Sequence, residues 1–285
     1  MTSPSTTPER PLRRILIALD ASPHSEAALN EAVQFAAHFG AELRGLFVED
    51  IDLLRSADLP MAREVRSFVL PARAMNRGRM RRQLRRQAER AEQLLQAAAR
   101  RGDVEYAFDV VRGRVTRTLL EAAADADLIA LGKTSSGRSS RRRLGSTAHH
   151  VLRRASRSVL VLREAPPPDQ SVMVYYDGTE TAESALKLAV ALVRMEPPRS
   201  LVVLLPADDA DDIQRLHEAV TERYSHTVPG LHVRPLTNIE AARLATVAST
   251  KEHGLVVLPA GAPPFEDANL QDFLYDLDRP ILVVR

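Results

Sequence analysis

The stretch Gly132-Lys133-Thr134-Ser135-Ser136-Gly137-Arg138-Ser139-Ser140-Arg141-Arg142-Arg143-Leu144-Gly145-Ser146-Thr147 has the composition of an anion cradle. Glycines let main-chain N–H groups approach phosphate oxygens, hydroxyl side chains add donors, and the basic residues attract a polyphosphate from a distance. A helix expected over 146–155 follows at once, so its N-terminus at Gly145-Ser146 adds partial positive charge. The plainer reading of the same residues is a flexible basic surface loop. Gly132-Lys133-Thr134 does not make a P-loop, because that motif needs a glycine five residues before its Gly-Lys pair and Asp127 stands there.

A second candidate is Asp20-Ala21-Ser22-Pro23, at the end of the first apolar run. Ser22 and Pro23 have the residue types of an N-cap and first helical position. Asp20 has two possible tasks: accepting hydrogen bonds from a ribose or adenine, or only orienting the loop. Adjacent His149 and His150 have no carboxylate or third ligand nearby in sequence, so a metal site is not expected. With no cysteine, thiolate metal sites, disulfides and a cysteine nucleophile are excluded. No serine elbow or HExxH helix is present either.

Short continuous apolar runs alternate with helix-period segments, the pattern of strands buried on both faces and joined by crossover helices. Strands are expected at 14–19, 43–48, 105–111, 128–132 and 158–162, with helices at 23–39, 78–101, 114–125 and 146–155. This rhythm specifies a parallel, doubly wound sheet, in which ligands sit beyond the carboxyl ends of the strands where strand order reverses. Both candidate loops lie there. The glycine-rich turn follows the fourth strand rather than the first, which excludes the dinucleotide fingerprint.

After Ala165-Pro166-Pro167-Pro168-Asp169-Gln170 the rhythm restarts. Strands are expected at 172–176, 200–205, 231–235, 255–259 and 281–284, and helices near 181–194, 210–224, 238–251 and 268–275. Asp20, Ser22, Glu26, Ala28, Leu29, Ala32 and Val33 recur as Asp177, Thr179, Glu183, Ala185, Leu186, Ala189 and Val190, all at an offset of 157. So regular a match indicates an internal duplication. The expected organisation is a tail over 1–12, one domain over 13–163, a proline-rich linker over 164–170 and a second domain over 171–285. Residues 50–76 have no counterpart and read as a lid-like or packing excursion.

The copies differ in charge. Net charge is +9 over residues 1–170 and −7 over 171–285, within a total of +2. Arg79, Arg82, Arg86 and Arg90 form a basic helical stripe opposite Met80, Leu84, Ala91, Leu95 and Ala98. In the second copy Pro259 stands where Gly132 does in the first; it has no N–H to donate, and no Gly-Ser pair or basic cluster follows. No triphosphate site is expected there.

An aspartate ending the first strand, with Gly132-x-x-Ser135, nine residues and Gly145-Ser146 after the fourth, resembles the universal stress protein family. Its usual pattern is Gly-x-x-Gly, nine residues, then Gly-Ser or Gly-Thr, so Ser135 replaces the second glycine. The resemblance covers both halves, as a tandem pair of adenine nucleotide alpha hydrolase-like, Rossmann-like domains with doubly wound parallel five-stranded sheets. It implies ATP as a regulatory ligand in the first half, with Mg2+ as an accompanying ion. Asp20 would meet the adenosine portion, Val48 would line the adenine pocket, and Gly132, Ser135, Gly145, Ser146 and Thr147 would cradle the phosphates, with Leu19, Leu131, Thr134 and Gly137 completing the expected nucleotide-binding set. It also implies pairing through the last strands, here 158–162 with 281–284 inside one chain, and a homodimer of such chains. The expected setting is cytoplasmic, without catalysis. Two alternatives stand beside it: a slow ATPase, or an interaction module without nucleotide that uses the arginine-rich helix. The chain has no tryptophan and 4% aromatic residues, which disfavours nucleic-acid recognition by stacking. No apolar run is long enough to span a bilayer.

Overall fold

A computed structural model describes residues 12–58, 63–64, 73–74, 76–132, 145–162, 171–195, 199–206, 209–236, 254–262 and 279–285. The expected helices near 238–251 and 268–275 lie outside the described residues.

In the first half the elements are β1 Arg14–Ala18, α1 Pro23–Phe39, β2 Glu42–Asp50, α2 Ile51–Ser56, β3 Arg63–Glu64, β4 Arg73–Ala74, α3 Arg77–Arg101, β5 Tyr106–Gly113, α4 Val115–Ala122, β6 Leu128–Gly132, α5 Ser146–Arg154 and β7 Ser158–Leu162. The second half has β8 Val172–Tyr175, α6 Glu180–Val193, β9 Leu201–Pro206, α7 Ala210–Tyr224, β10 Leu231–Leu236, β11 Leu255–Pro259 and β12 Ile281–Val284. The helix expected over 114–125 is shorter than its apolar pattern: α4 stops at Ala122 and a 3-10 turn over Ala123–Asp125 leads into β6. The connection after β2 contains α2 and a small antiparallel pair of β3 with β4.

Ten strands form one sheet in the order β10-β9-β8-β11-β12-β7-β6-β1-β2-β5. Every pairing is parallel except that between β12 and β7, which is antiparallel, with Ile281 opposite Val161, Leu282 opposite Leu160 and Val283 opposite Val159. The two expected five-stranded sheets therefore meet edge to edge. Parallel strands are buried on both faces, and these alternate accordingly. Ile15 and Ile17 of β1 join the core beneath α1 and α3, while Leu16 joins the core beneath α4 and α5.

The first core continues under α6 and α7, so α1, α3, α6 and α7 cover one face of the sheet. Leu160 and Leu282 belong to that core, and Val159, Val161, Ile281 and Val283 to the other. Both cores thus run through the antiparallel seam. α1 reaches across as well, where His38 Nε2 contacts the carbonyl of Ala191 on α6 at 3.0 Å.

Gly45 sets how closely α3 approaches β2. A Cβ there would lie 2.5 Å from Leu95 Cδ2 and 2.9 Å from Phe108 Cδ2. Leu95 is fully buried, so the fit has no slack. This close packing brings the first turns of α3 to the carboxyl ends of β1 and β2. No described helix is long and apolar enough to cross a membrane.

Candidate functional site

Strand order reverses around β1, which lies between β2 and β6. A cavity of ≈ 410 Å³ opens at their carboxyl ends. Leu19 and Asp20 enter it from the end of β1, Phe47, Val48 and Asp50 from β2, and Leu131 and Gly132 from β6. Gly145, Thr147 and Ala148 close it from the start of α5, Gln83, Leu84 and Gln87 from α3, and Val115 and Leu119 from α4. Its walls are chiefly apolar with a few convergent polar groups, and its size is ordinary for a small-molecule site.

The turn after β1 is tightly specified. Asp20 Oδ1 accepts from Ser22 N–H at 3.0 Å, and Ser22 Oγ accepts from Ser25 N–H at 3.2 Å as the N-cap of α1. Asp20 thus orients the loop, and it also lines the cavity. The turn places Ala21 at φ 57°, a left-handed conformation that disfavours a residue with a Cβ. The duplicated position is Gly178, at φ 80°. Ala21→Gly is accordingly expected to raise stability by about 1 kcal/mol, read as a shift in the urea midpoint. An unchanged or lowered midpoint would contradict the strain.

At the opposite wall Gly145 is the N-cap residue of α5 and no side chain caps the helix. α4, which begins at the same cavity, also lacks a side-chain cap. The other five described α-helices have one, from Ser22, Asp50, Asn76, Thr179 and Asp209. α4 and α5 thus start at the cavity without a side-chain cap, whereas α1 and α2, which also start at its rim, are capped by Ser22 and Asp50.

Beside the cavity, and sharing Asp50, Val115 and Thr147 with it, lies a wider cleft of ≈ 700 Å³ between α2, α4 and α5. Its charges are mixed: Arg114 meets Asp52 at 3.4 Å and Arg117 meets Glu121 at 2.7 Å. On α5, His150 Nδ1–H donates to the Ser146 carbonyl at 2.6 Å. His149 is held below the usual imidazole range by burial, with the charges of His150 and Arg153 acting in the same direction. Among the described residues no group of three His, Asp or Glu side chains comes together that could hold a metal ion.

Of the residues singled out in the sequence, Leu19, Asp20, Val48, Leu131, Gly132, Gly145 and Thr147 converge on one cavity. Ser146 is exposed at the start of α5 and does not line it. Thr134, Ser135 and Gly137 lie outside the described residues. Sequence reasoning missed Phe47, Asp50, Leu53, Gln83, Gln87, Val115 and Leu119. A signal existed for the amides: Gln83 and Gln87 are four apart beside Leu84, and both are half-buried on a helix whose other polar residues are mostly exposed.

The second half is built differently at the matching place. Asp177 Oδ1 again accepts from the residue two on, Thr179 N–H, at 3.0 Å. Here Leu216 of α7 covers the turn, 2.9 Å from where a Cβ on Gly178 would sit. Tyr176, at the position duplicating Leu19, donates its hydroxyl to Glu183 at 3.2 Å, and Arg223 pairs with the other oxygen of that carboxylate. Burial foremost, and then Glu183, push the Tyr176 phenol above its usual range.

Residues 11–163 match the profile of the Universal stress protein family. A universal stress protein from Archaeoglobus fulgidus DSM 4304 has the same fold, with a TM-score of 0.70 at 15% identity over 95% of this chain and 97% of that one. A protein of unknown function from Pseudomonas aeruginosa PAO1 gives 0.64 at 13% identity, covering 96% and 92%. The cytoplasmic domain of a prokaryotic cation chloride cotransporter gives 0.55 at 13% identity, covering 95% of each chain. No curated protein matches the sequence. With more than half of the chain matched and the duplicated α/β architecture extending over the remainder, the chain belongs to the universal stress protein family.

Proposed function

We propose that the first half binds ATP as a regulatory ligand and does not turn it over. The observation that carries this reading is the convergence of Asp20, Val48, Gly132, Gly145 and Thr147 on one cavity whose bounding helices α4 and α5 have no side-chain caps. An apolar slot beside Leu19, Phe47 and Val48 suits a purine. The second oxygen of Asp20 is available to a ribose hydroxyl or an adenine amine, since Oδ1 serves the turn. Gln83 and Gln87 supply amide donors and acceptors from α3. Uncapped N–H groups at Gly145 and the Thr147 hydroxyl suit phosphate oxygens, with the glycine-rich loop between Gly132 and Gly145 as the remaining cradle. Mg2+ would enter with the phosphates. The second half, with Leu216 over its turn and Pro259 in place of the glycine, serves as a packing partner. The setting we assign is the cytoplasm.

Isothermal titration of the full chain with ATP and magnesium tests this. One ATP bound per chain with micromolar-range affinity is the expected result, with no phosphate released on prolonged incubation. Absence of heat and of a thermal shift at millimolar ATP would transfer the function to the surface of the molecule.

A further inference from the structure

The first half of α3 concentrates like charge that few carboxylates answer. Six of the eight exposed residues between Arg77 and Arg90 are arginines, on the side away from buried Met80, Leu84 and Ala88. Arg77 pairs with Asp58 at 2.8 Å, and Arg85 holds Glu89, the one carboxylate among the eight, at 3.1 Å. Among the described residues Arg81, Arg82, Arg86 and Arg90 have no carboxylate partner. The arrangement works against the helix itself. Its first turn has no acidic residue to match the positive end of the dipole, and Arg81 with Arg85, Arg82 with Arg86 and Arg86 with Arg90 stand four apart, where like charges repel. Such a face is complementary to a dense external anion.

We propose that this face of α3 docks in the major groove of B-form DNA, held by the phosphates on either side. α3 is the outermost helix on its face of the sheet, packed on β2 and on the edge strand β5, so its arginine side stands clear of the other helices there. The span from Arg77 to Arg90 is about 20 Å long at the helical rise, and a groove about 12 Å wide admits a helix. Guanidinium groups pair two N–H donors with phosphate oxygens, which fixes position without reading sequence. The other anionic surfaces fit less well. An RNA duplex has a major groove too narrow for side chains, and single strands are held by stacking on aromatic rings, of which this face has none. Lipid needs apolar side chains to enter it, and no exposed residue of this face is apolar. α7, the counterpart of α3 in the second half, exposes Asp211, Asp212, Glu218 and Glu222 instead, so one duplex binds per chain, on the first half alone. This surface is separate from the nucleotide cavity and does not rest on the reading of it.

The decisive experiment is fluorescence anisotropy of a labelled DNA duplex of about 25 base pairs, titrated with the full chain at several salt concentrations. Micromolar-range binding is expected at about 50 mM salt, with log K falling against log salt at a slope of about −3.6 for the four unpartnered arginines. R82Q/R86Q removes two of those contacts and is expected to halve the slope and to weaken binding at least about tenfold at the lower salt. R153Q/R154Q makes the same change of charge on α5, on the other face of the sheet, and is expected to bind within about twofold of the natural chain. Unchanged thermal midpoints show that both variants are folded. No change in anisotropy at low salt, or equal losses from the two variants, would overturn the proposal. An RNA duplex bound as tightly as DNA would overturn the groove, and displacement of the duplex by poly-glutamate at equal charge would reassign the arginines to an acidic protein surface.

Discussion

Gly145→Asp is expected to weaken ATP binding by at least about a hundredfold, which is about 2.7 kcal/mol, without weakening the fold. Gly145 sits at φ −61° and ψ 145°, a conformation open to any residue, so its glycine is not required by the backbone. Aspartate is among the best N-cap residues, and its carboxylate would accept the N–H groups that α5 leaves unsatisfied. The helix gains on the order of 1 kcal/mol from such a cap. The same carboxylate takes the place proposed for phosphate and adds a repelling charge. Stability and affinity should therefore move in opposite directions, a signature that damage to the fold cannot imitate. Titration calorimetry and thermal unfolding on the same sample read both quantities. Retention of full affinity in the variant would remove the α5 N-terminus from the site.

Leu282→Asp is expected to cost about 4 kcal/mol or more, seen as a large fall in the denaturation midpoint. Leu282 faces Leu160 across the seam, and neither side chain has any exposed surface. Removing a buried leucine side chain alone costs about 2–5 kcal/mol. A carboxylate in its place must in addition be buried charged or take up a proton. Leu282→Ala separates the two contributions, since it carries only the first. If Leu282→Asp unfolded at the natural midpoint, the core would not run through the seam.

Much of the fold was legible because its strands are buried on both faces. Continuous runs such as Leu255–Pro259 have no exposed side to interrupt them, and helices of period 3.6 mark the crossovers. Register was not legible from periodicity: apart from Ser158 at one end, both edge strands, 158–162 and 281–284, are apolar, and either orientation would bury them. The candidate site was legible where motif residues line the cavity, at Asp20, Gly132, Gly145 and Thr147. It was obscure where a wall is made by packing. Gln83 and Gln87 reach the cavity because Gly45 admits α3 so close to β2, a contact between residues far apart in sequence. Val115 and Leu119 look like ordinary core on α4, since an apolar wall and an apolar core have the same residue types.

The antiparallel seam between β7 and β12 also changes what the chain must recognise. Two separate subunits meeting through three pairs of strand residues would have to offset the entropy of association from solution. Here both edges belong to one chain, so each meets the other at an effective concentration in the millimolar range or above. A seam of modest intrinsic affinity then stays closed at any dilution. It also always joins unlike halves, never two copies of the same one. Under that constraint one half can change sign of charge, as the −7 of residues 171–285 shows, and can cover its own turn with Leu216, while the other keeps an open cavity. Tethering thus converts a symmetric pairing problem into a fixed one-to-one ratio of two specialised parts.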